Sequence, residues 1–130
     1  MYYVSKQIDL PFIQVVEKTI SACQQAGFGL LSQIDVSQKF KDKLNIDFGQ
    51  YVILGICEPA LALAALQAEI NFGLFLPCNV IVYQIIGQTT VTVAVIKPQE
   101  AFVIVANPQL APLFEQAEKN LNRVIDLLDS

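Results

Sequence analysis

The chain has 130 residues and a net charge of -4, with 54% apolar and only 15% charged residues. That length fits a single domain over residues 1–130 with one real core, and so apolar a composition excludes intrinsic disorder. Histidine is absent, which excludes a Ser-His-Asp triad, a Cys-His dyad, a histidine metal site and a histidine pH switch.

Met1 to Ile8 is expected to form a first strand. Pro11 then fits the first position of a helix. Ile13, Val16, Ile20 and Cys23 recur at spacings of 3, 4 and 3, one apolar stripe, and Gly27 ends it. Phe28 to Val36 reads as a second strand and Ser37 to Leu44 as a short polar helix. Gln50 to Cys57 (QYVILGIC) is a strongly β-forming run. Pro59 opens a short helix, Ala60 to Glu69, apolar on nearly every side, and such a helix is expected to be buried on more than one face. Phe75 to Ile86 and Thr89 to Ile96 form a hairpin, with Gly87-Gln88 as a two-residue turn. That register sets Val82 opposite Val93, Val80 opposite Val95 and Cys78 opposite Lys97. Cys78, Val80, Val82, Val91, Val93 and Val95 then share one face. Pro98 ends the second strand, and residues 99–107 fit either a strand or a helical turn. Leu110, Leu113, Phe114, Ala117, Leu121, Val124 and Leu128 trace a long C-terminal helix that becomes regular near Pro112. Glu115 and Lys119 form a favourable pair on its other side. Hairpin pairing within this mixed order predicts an α+β fold, an antiparallel sheet with helices packed on one face.

The acidic balance, with a pI near 4.6, argues against a nucleic-acid partner, which needs a basic face. The N-terminus lacks the charged start and apolar core of a signal peptide. No stretch reaches the roughly 18 uninterrupted apolar residues of a membrane span. The expectation is a soluble cytoplasmic chain with its three cysteines reduced. Between Asp47 and Lys97 only Glu58 and Glu69 are charged. A neutral middle this long points to a subunit interface or an apolar pocket.

Two tripeptides carry the candidate chemistry, Cys57-Glu58-Pro59 and Pro77-Cys78-Asn79. Cys57 precedes a helix whose free N–H groups would lower its thiol pKa. Lys97, if opposite Cys78, would act the same way there. Thiols projecting from neighbouring strands at one level could undergo reversible disulfide chemistry or bind a soft metal such as Cu(I) or Zn. The competing reading is packing, because free cysteine is commonly buried and the 20 residues between the two match no metal or redox signature. Cys23 lies on a helical stripe and reads as core. Glu58 is either a helix-dipole residue or an acid/base beside Cys57. Asn79 alternates to the face opposite Cys78, where it caps a backbone gap or meets a ligand. No glycine pattern makes a phosphate-binding loop.

The runs Gly27-Phe28…Ile34-Asp35-Val36, Ile53-Leu54-Gly55-Ile56-Cys57-Glu58-Pro59 and Leu76-Pro77-Cys78-Asn79-Val80-Ile81-Val82-Tyr83 resemble the DUF302 family. The resemblance covers nearly the whole chain. It implies a small α+β domain in β-α-β(4)-α order, of the TATA-binding-protein-like class, with a tendency to dimerise. The short helices then read as insertions. The resemblance implies no activity, and of its motif positions Cys57, Pro59, Pro77 and Cys78 are present. The family pattern more often carries Asn at Glu58, a polar residue at Leu63, an acid at Gln84 and Asp at Lys97, so this chain departs from it at polar positions.

The leading expectation is a non-enzymatic homodimer that binds a small apolar ligand or a soft metal near Cys57 and Cys78. Glu58, Pro59, Pro77, Asn79 and Lys97 complete its candidate site. The alternative is a thiol-dependent redox protein or enzyme with Cys57 reactive and Cys78 resolving. The sequence requires no cofactor.

Overall fold

The computed structural model describes residues 1–128. Strand β1 (Tyr3–Ile8) runs to Pro11, which turns the chain into helix α1 (Phe12–Gln25). Gly27, at a φ of +96° that side chains rarely adopt, lets the chain leave that helix for β2 (Gly29–Asp35). The Asp35 carboxylate accepts from the Gln38 N–H at 2.9 Å and so caps α2 (Val36–Leu44). The β-forming run becomes β3 (Gln50–Cys57), and α3 (Pro59–Ala68) follows at once with Pro59 in its first turn. A 3₁₀ segment (Ile70–Phe75) leads to β4 (Cys78–Gln84) and β5 (Val91–Ile96). A four-residue helix α4 (Pro98–Ala101) and a 3₁₀ turn (Pro108–Leu110) precede the long α5 (Ala111–Leu127).

The five strands lie in the order β1-β5-β4-β3-β2, and every neighbouring pair is antiparallel. This is the expected α+β fold. The hairpin register is as read from the sequence, with Val80 opposite Val95 and Val82 opposite Val93. Its turn is not. Residues 85–90 connect the strands, and the bond from the Gln88 N–H to the Ile85 carbonyl, 3.0 Å, puts Gly87 third in the turn. Its φ of +87° is what a type II turn requires at that position. The ladder between β4 and β5 runs from Val80 to Tyr83 on β4, while Cys78 pairs with Ile56 of β3. The β4–β5 ladder thus stops short of Cys78 and Lys97, which are not a bonded pair.

Helices α1 and α5 cover one face of the sheet. Leu54, Ile56, Val80, Val82, Val91, Val93 and Val95 meet Val15, Leu121 and Val124 in the main core. The buried stripe of α1 is Val15, Val16, Thr19, Ala22 and Cys23, and Ile13 is 68% exposed. Val16, Ile20 and Cys23 of the expected stripe pack in the core, Ile13 does not, and Thr19 joins the buried face. The Thr19 hydroxyl donates to the Val15 carbonyl at 2.7 Å, which lets a polar residue enter the core without an unmet bond.

A second, smaller core stands at one end of the sheet, where Ala65, Phe72, Phe102 and Leu110 are buried together. Helix α3 packs here on one side only. Ala65 is its one fully buried residue and Leu63 is 60% exposed, against the expectation of burial on several faces. Residues 99–107 form α4 and a turn rather than a strand. No helix among the described residues is long and apolar enough to cross a membrane.

The other face of the sheet is uncovered by any helix. Strand alternation places Tyr51, Ile53, Asn79, Ile81, Tyr83 and Ala94 on it, and no outward position of the five strands is charged. Tyr51 and Tyr83 stack there with ring centroids 5.5 Å apart.

Candidate functional site

Both cysteine motifs come to the end of the sheet that carries the second core. Cys57 is the last residue of β3 and Cys78 the first of β4. Gly55 allows this approach. A Cβ at that position would meet Pro77 Cγ at 2.8 Å and the Ser32 hydroxyl. The Leu76-Pro77 peptide bond is cis.

Cys57, Glu58 and Cys78 line a cavity of about 50 Å³. Its other walls are apolar: Leu61, Ala62 and Ala65 from α3, Phe72 and Leu76 from the following segment, Phe102 after α4, and Leu113, Phe114 and Ala117 from α5. Phe72, Phe102 and Phe114 contact one another with ring centroids 5.3 to 5.5 Å apart. None of these aromatic residues was a candidate from the sequence. The AFVIVA run, which holds Phe102, was ambiguous between strand and helix, and no spacing rule links it to Phe72.

The remaining sequence candidates lie elsewhere. Pro77 packs on Gly55, behind the cavity. Asn79 pairs with Gly55 on the uncovered face and is exposed. Pro59 is exposed in the first turn of α3. The Lys97 ammonium pairs with the Glu100 carboxylate at 3.0 Å. Glu58 occupies the N-cap of α3 without a capping bond, and its carboxylate accepts from the Asn120 side-chain amide at 2.7 Å instead.

The electrostatics of the thiols reverse the sequence expectation. Cys78 is pushed up to about 11, by burial first and by the charge of Cys57 second. The Cys57 thiol is also pushed up, by burial and then by the neighbouring Glu58 carboxylate. Both thiols are neutral at pH 7. Among the described residues no group of three Cys, Asp or Glu side chains converges in a way that could hold a metal ion. A soft metal here would have the two thiols as its protein ligands.

The sequence pattern of the family described as "Domain of unknown function DUF302" matches residues 4–128. The chain belongs to the DUF302 family. Its fold is similar to the crystal structure of an uncharacterized conserved DUF302 protein from Bacillus stearothermophilus, at 28% identity and a TM-score of 0.90, covering 99% of each chain. No curated protein matches the sequence.

The uncovered sheet face of this DUF302 chain holds a shallow groove of about 400 Å³, walled by Tyr2, Tyr3, Tyr51, Ile81 and Tyr83. Burial, Tyr83 and Tyr2, in that order, push the Tyr51 phenol above its usual range. The groove and the thiol cavity lie on opposite sides of the sheet end, and Ile96 is the strand residue common to the groove and the second core.

Proposed function

We propose that this DUF302 protein is a homodimeric binding domain that takes a small apolar ligand in the cavity beside Cys57 and Cys78. The observation that carries this reading is the cavity wall, which is apolar apart from two neutral thiols and Glu58. Ligand sites are mostly apolar concavities with few polar groups. A thiolate nucleophile needs a depressed pKa, and both thiols are shifted the other way, so the redox alternative is the weaker one.

The uncharged sheet face supports the dimer. Five strands at about 4.8 Å spacing and about 20 Å length present roughly 500 Å² per subunit. Two such faces together reach about 1,000 Å², the lower bound of a specific interface.

Xenon tests the cavity. Dissolved xenon is expected to shift the ¹³C methyl resonances of Ala65 and Leu113. Unmoved methyls there overturn the reading. Alkylation of native protein tests the alternative. Slow labelling of Cys57 and Cys78 at pH 7 is expected, and fast labelling of either below about pH 7 would favour thiol chemistry instead.

A further inference from the structure

All four tyrosines of the chain line one groove on the uncovered sheet face. Tyr2 stands just before β1 and Tyr3 opens it, while Tyr51 comes from β3 and Tyr83 from β4. Among the described residues none of their hydroxyls takes part in a hydrogen bond. Part of the groove floor is low, because Ile81 is paired there with the small Ala94.

A second groove, of about 350 Å³, lies on the other side of the Tyr51–Tyr83 pair and is walled by Phe48, Gln50, Gln84 and Ile85. Tyr51 and Tyr83 line both grooves. Their rings stack with planes 12° apart, so the pair is a ridge with a groove on each side. No charged residue lines either groove.

A ridge and a groove side by side on one patch are what a two-fold interface needs. Such an interface sets the same patch of two copies together. A ridge off the axis then seats in the partner's groove and receives the partner's ridge in its own. The area also suits a second copy. Tyr2 is 65% exposed, Phe48 49% and Ile85 51%. These three side chains add roughly 300 Å² to the strand face of each subunit and raise the area available to two copies to about 1,600 Å², the size of a standard specific interface. Tyrosine suits such a contact, since its ring is large and its hydroxyl finds a partner when it is buried.

We infer that two copies of this chain interlock through their tyrosines, with the Tyr51–Tyr83 ridge of each seated over Ile81 and Ala94 in the tyrosine groove of the other. This deepens the proposed function and rests on its dimer. A second copy is the occupant because the groove and the ridge that fits it belong to the same uncharged patch.

The test uses the absence of Trp, which leaves the four groove tyrosines to dominate the near-ultraviolet spectrum. Sedimentation and second-derivative tyrosine absorption are followed together through a dilution series of the full chain. The wild-type dimer is expected to dissociate on dilution, with the tyrosine band moving to its water-exposed position in step. Tyr83→Ala removes half of the ridge and is expected to raise the dimer dissociation constant on the order of 100-fold or more, because the change occurs twice in the dimer. Tyr83→Phe keeps the ring and is expected to raise it less than about tenfold. Ala94→Leu adds apolar area but fills the groove, and it is expected to weaken the dimer as well. A dimer whose tyrosine band stays fixed on dilution, or one that survives Tyr83→Ala, overturns the interlock and leaves the dimer to another surface. A wild type that is monomeric at every concentration overturns the interlock and the dimer together.

Discussion

Cys78→Ala is expected to flatten the alkaline side of the stability curve. The folded-state pKa of Cys78 is about 11 against an ordinary 9.0. The unfolded chain therefore releases this proton before the folded chain does. Stability from the buried thiol is complete below about pH 9 and falls as the pH rises towards about 11. Integrating the linkage relation with those two values gives a loss on the order of 1 kcal/mol at pH 10, growing towards pH 11. Cys23, pushed up to about 12 by burial in the main core, contributes a loss of the same sign. Its loss at pH 10 is of similar size. Urea unfolding of the wild type, Cys78→Ala and Cys23→Ala at pH 8, 9 and 10 measures this. Each variant starts from its own lower stability at pH 8, and the slope with pH is the readout. Each variant should lose less than the wild type over that interval, by about the contribution of the cysteine it lacks, while Cys57 contributes to all three alike. Tyrosines also titrate in this range, but their contribution is common to all three proteins and cancels in the comparison. Parallel loss of stability in wild type and Cys78→Ala would refute the reasoning, because it would place the Cys78 thiol in solvent rather than in the cavity wall.

Gly55→Ala is expected to cost about 1–3 kcal/mol, the usual range for overpacking, because the new methyl meets Pro77 and Ser32. An unchanged urea midpoint would show that the two cysteine motifs are not held together by that contact. Asp35→Ala removes the bond to the Gln38 N–H at the start of α2 and should lower stability by about 1 kcal/mol. Light scattering is expected to give a dimer for the wild type and a folded monomer for Ile81→Lys, since the lysine would sit in the middle of the uncharged face. A monomeric wild type would dismiss that interface.

The fold was legible where side-chain alternation was strong. The valines at 80, 82, 91, 93 and 95 set the hairpin register regardless of the turn, because a slip by one residue would expose all of them. The turn was harder to read. Gly87 fits the first place of a two-residue turn and the third place of a type II turn equally well, and only the length of the paired strands decides between them. The stripe of α1 differs from the expectation at Ile13 and Thr19 for a different reason. An apolar scan passes over Thr19, whose hydroxyl is satisfied by its own helix, and takes in Ile13, which points outward. Helix α3 shows the limit of composition. It is apolar all round, yet only Ala65 is buried and Leu63 is 60% exposed.

The candidate site was half legible. Strand ends and prolines brought Cys57 and Cys78 to the same end of the sheet, but the cavity owes its shape to residues far from them in sequence. Phe72, Phe102 and Phe114 meet only because α5 runs past both cores. The direction of the thiol shifts was also hidden. A helix N-terminus is worth about 0.3–1 kcal/mol, less than one pKa unit. Enclosure of a thiol in an apolar wall acts the other way and pushes Cys78 up to about 11, and at Cys57 the Glu58 carboxylate adds to burial. The same carboxylate that keeps the thiol protonated gives the cavity a negative field. A neutral thiol with a carboxylate beside it is a poor nucleophile and a poor host for anions. It is compatible with an apolar molecule that is neutral or positively charged. These features are what supports the proposed binding role over the thiol-dependent one.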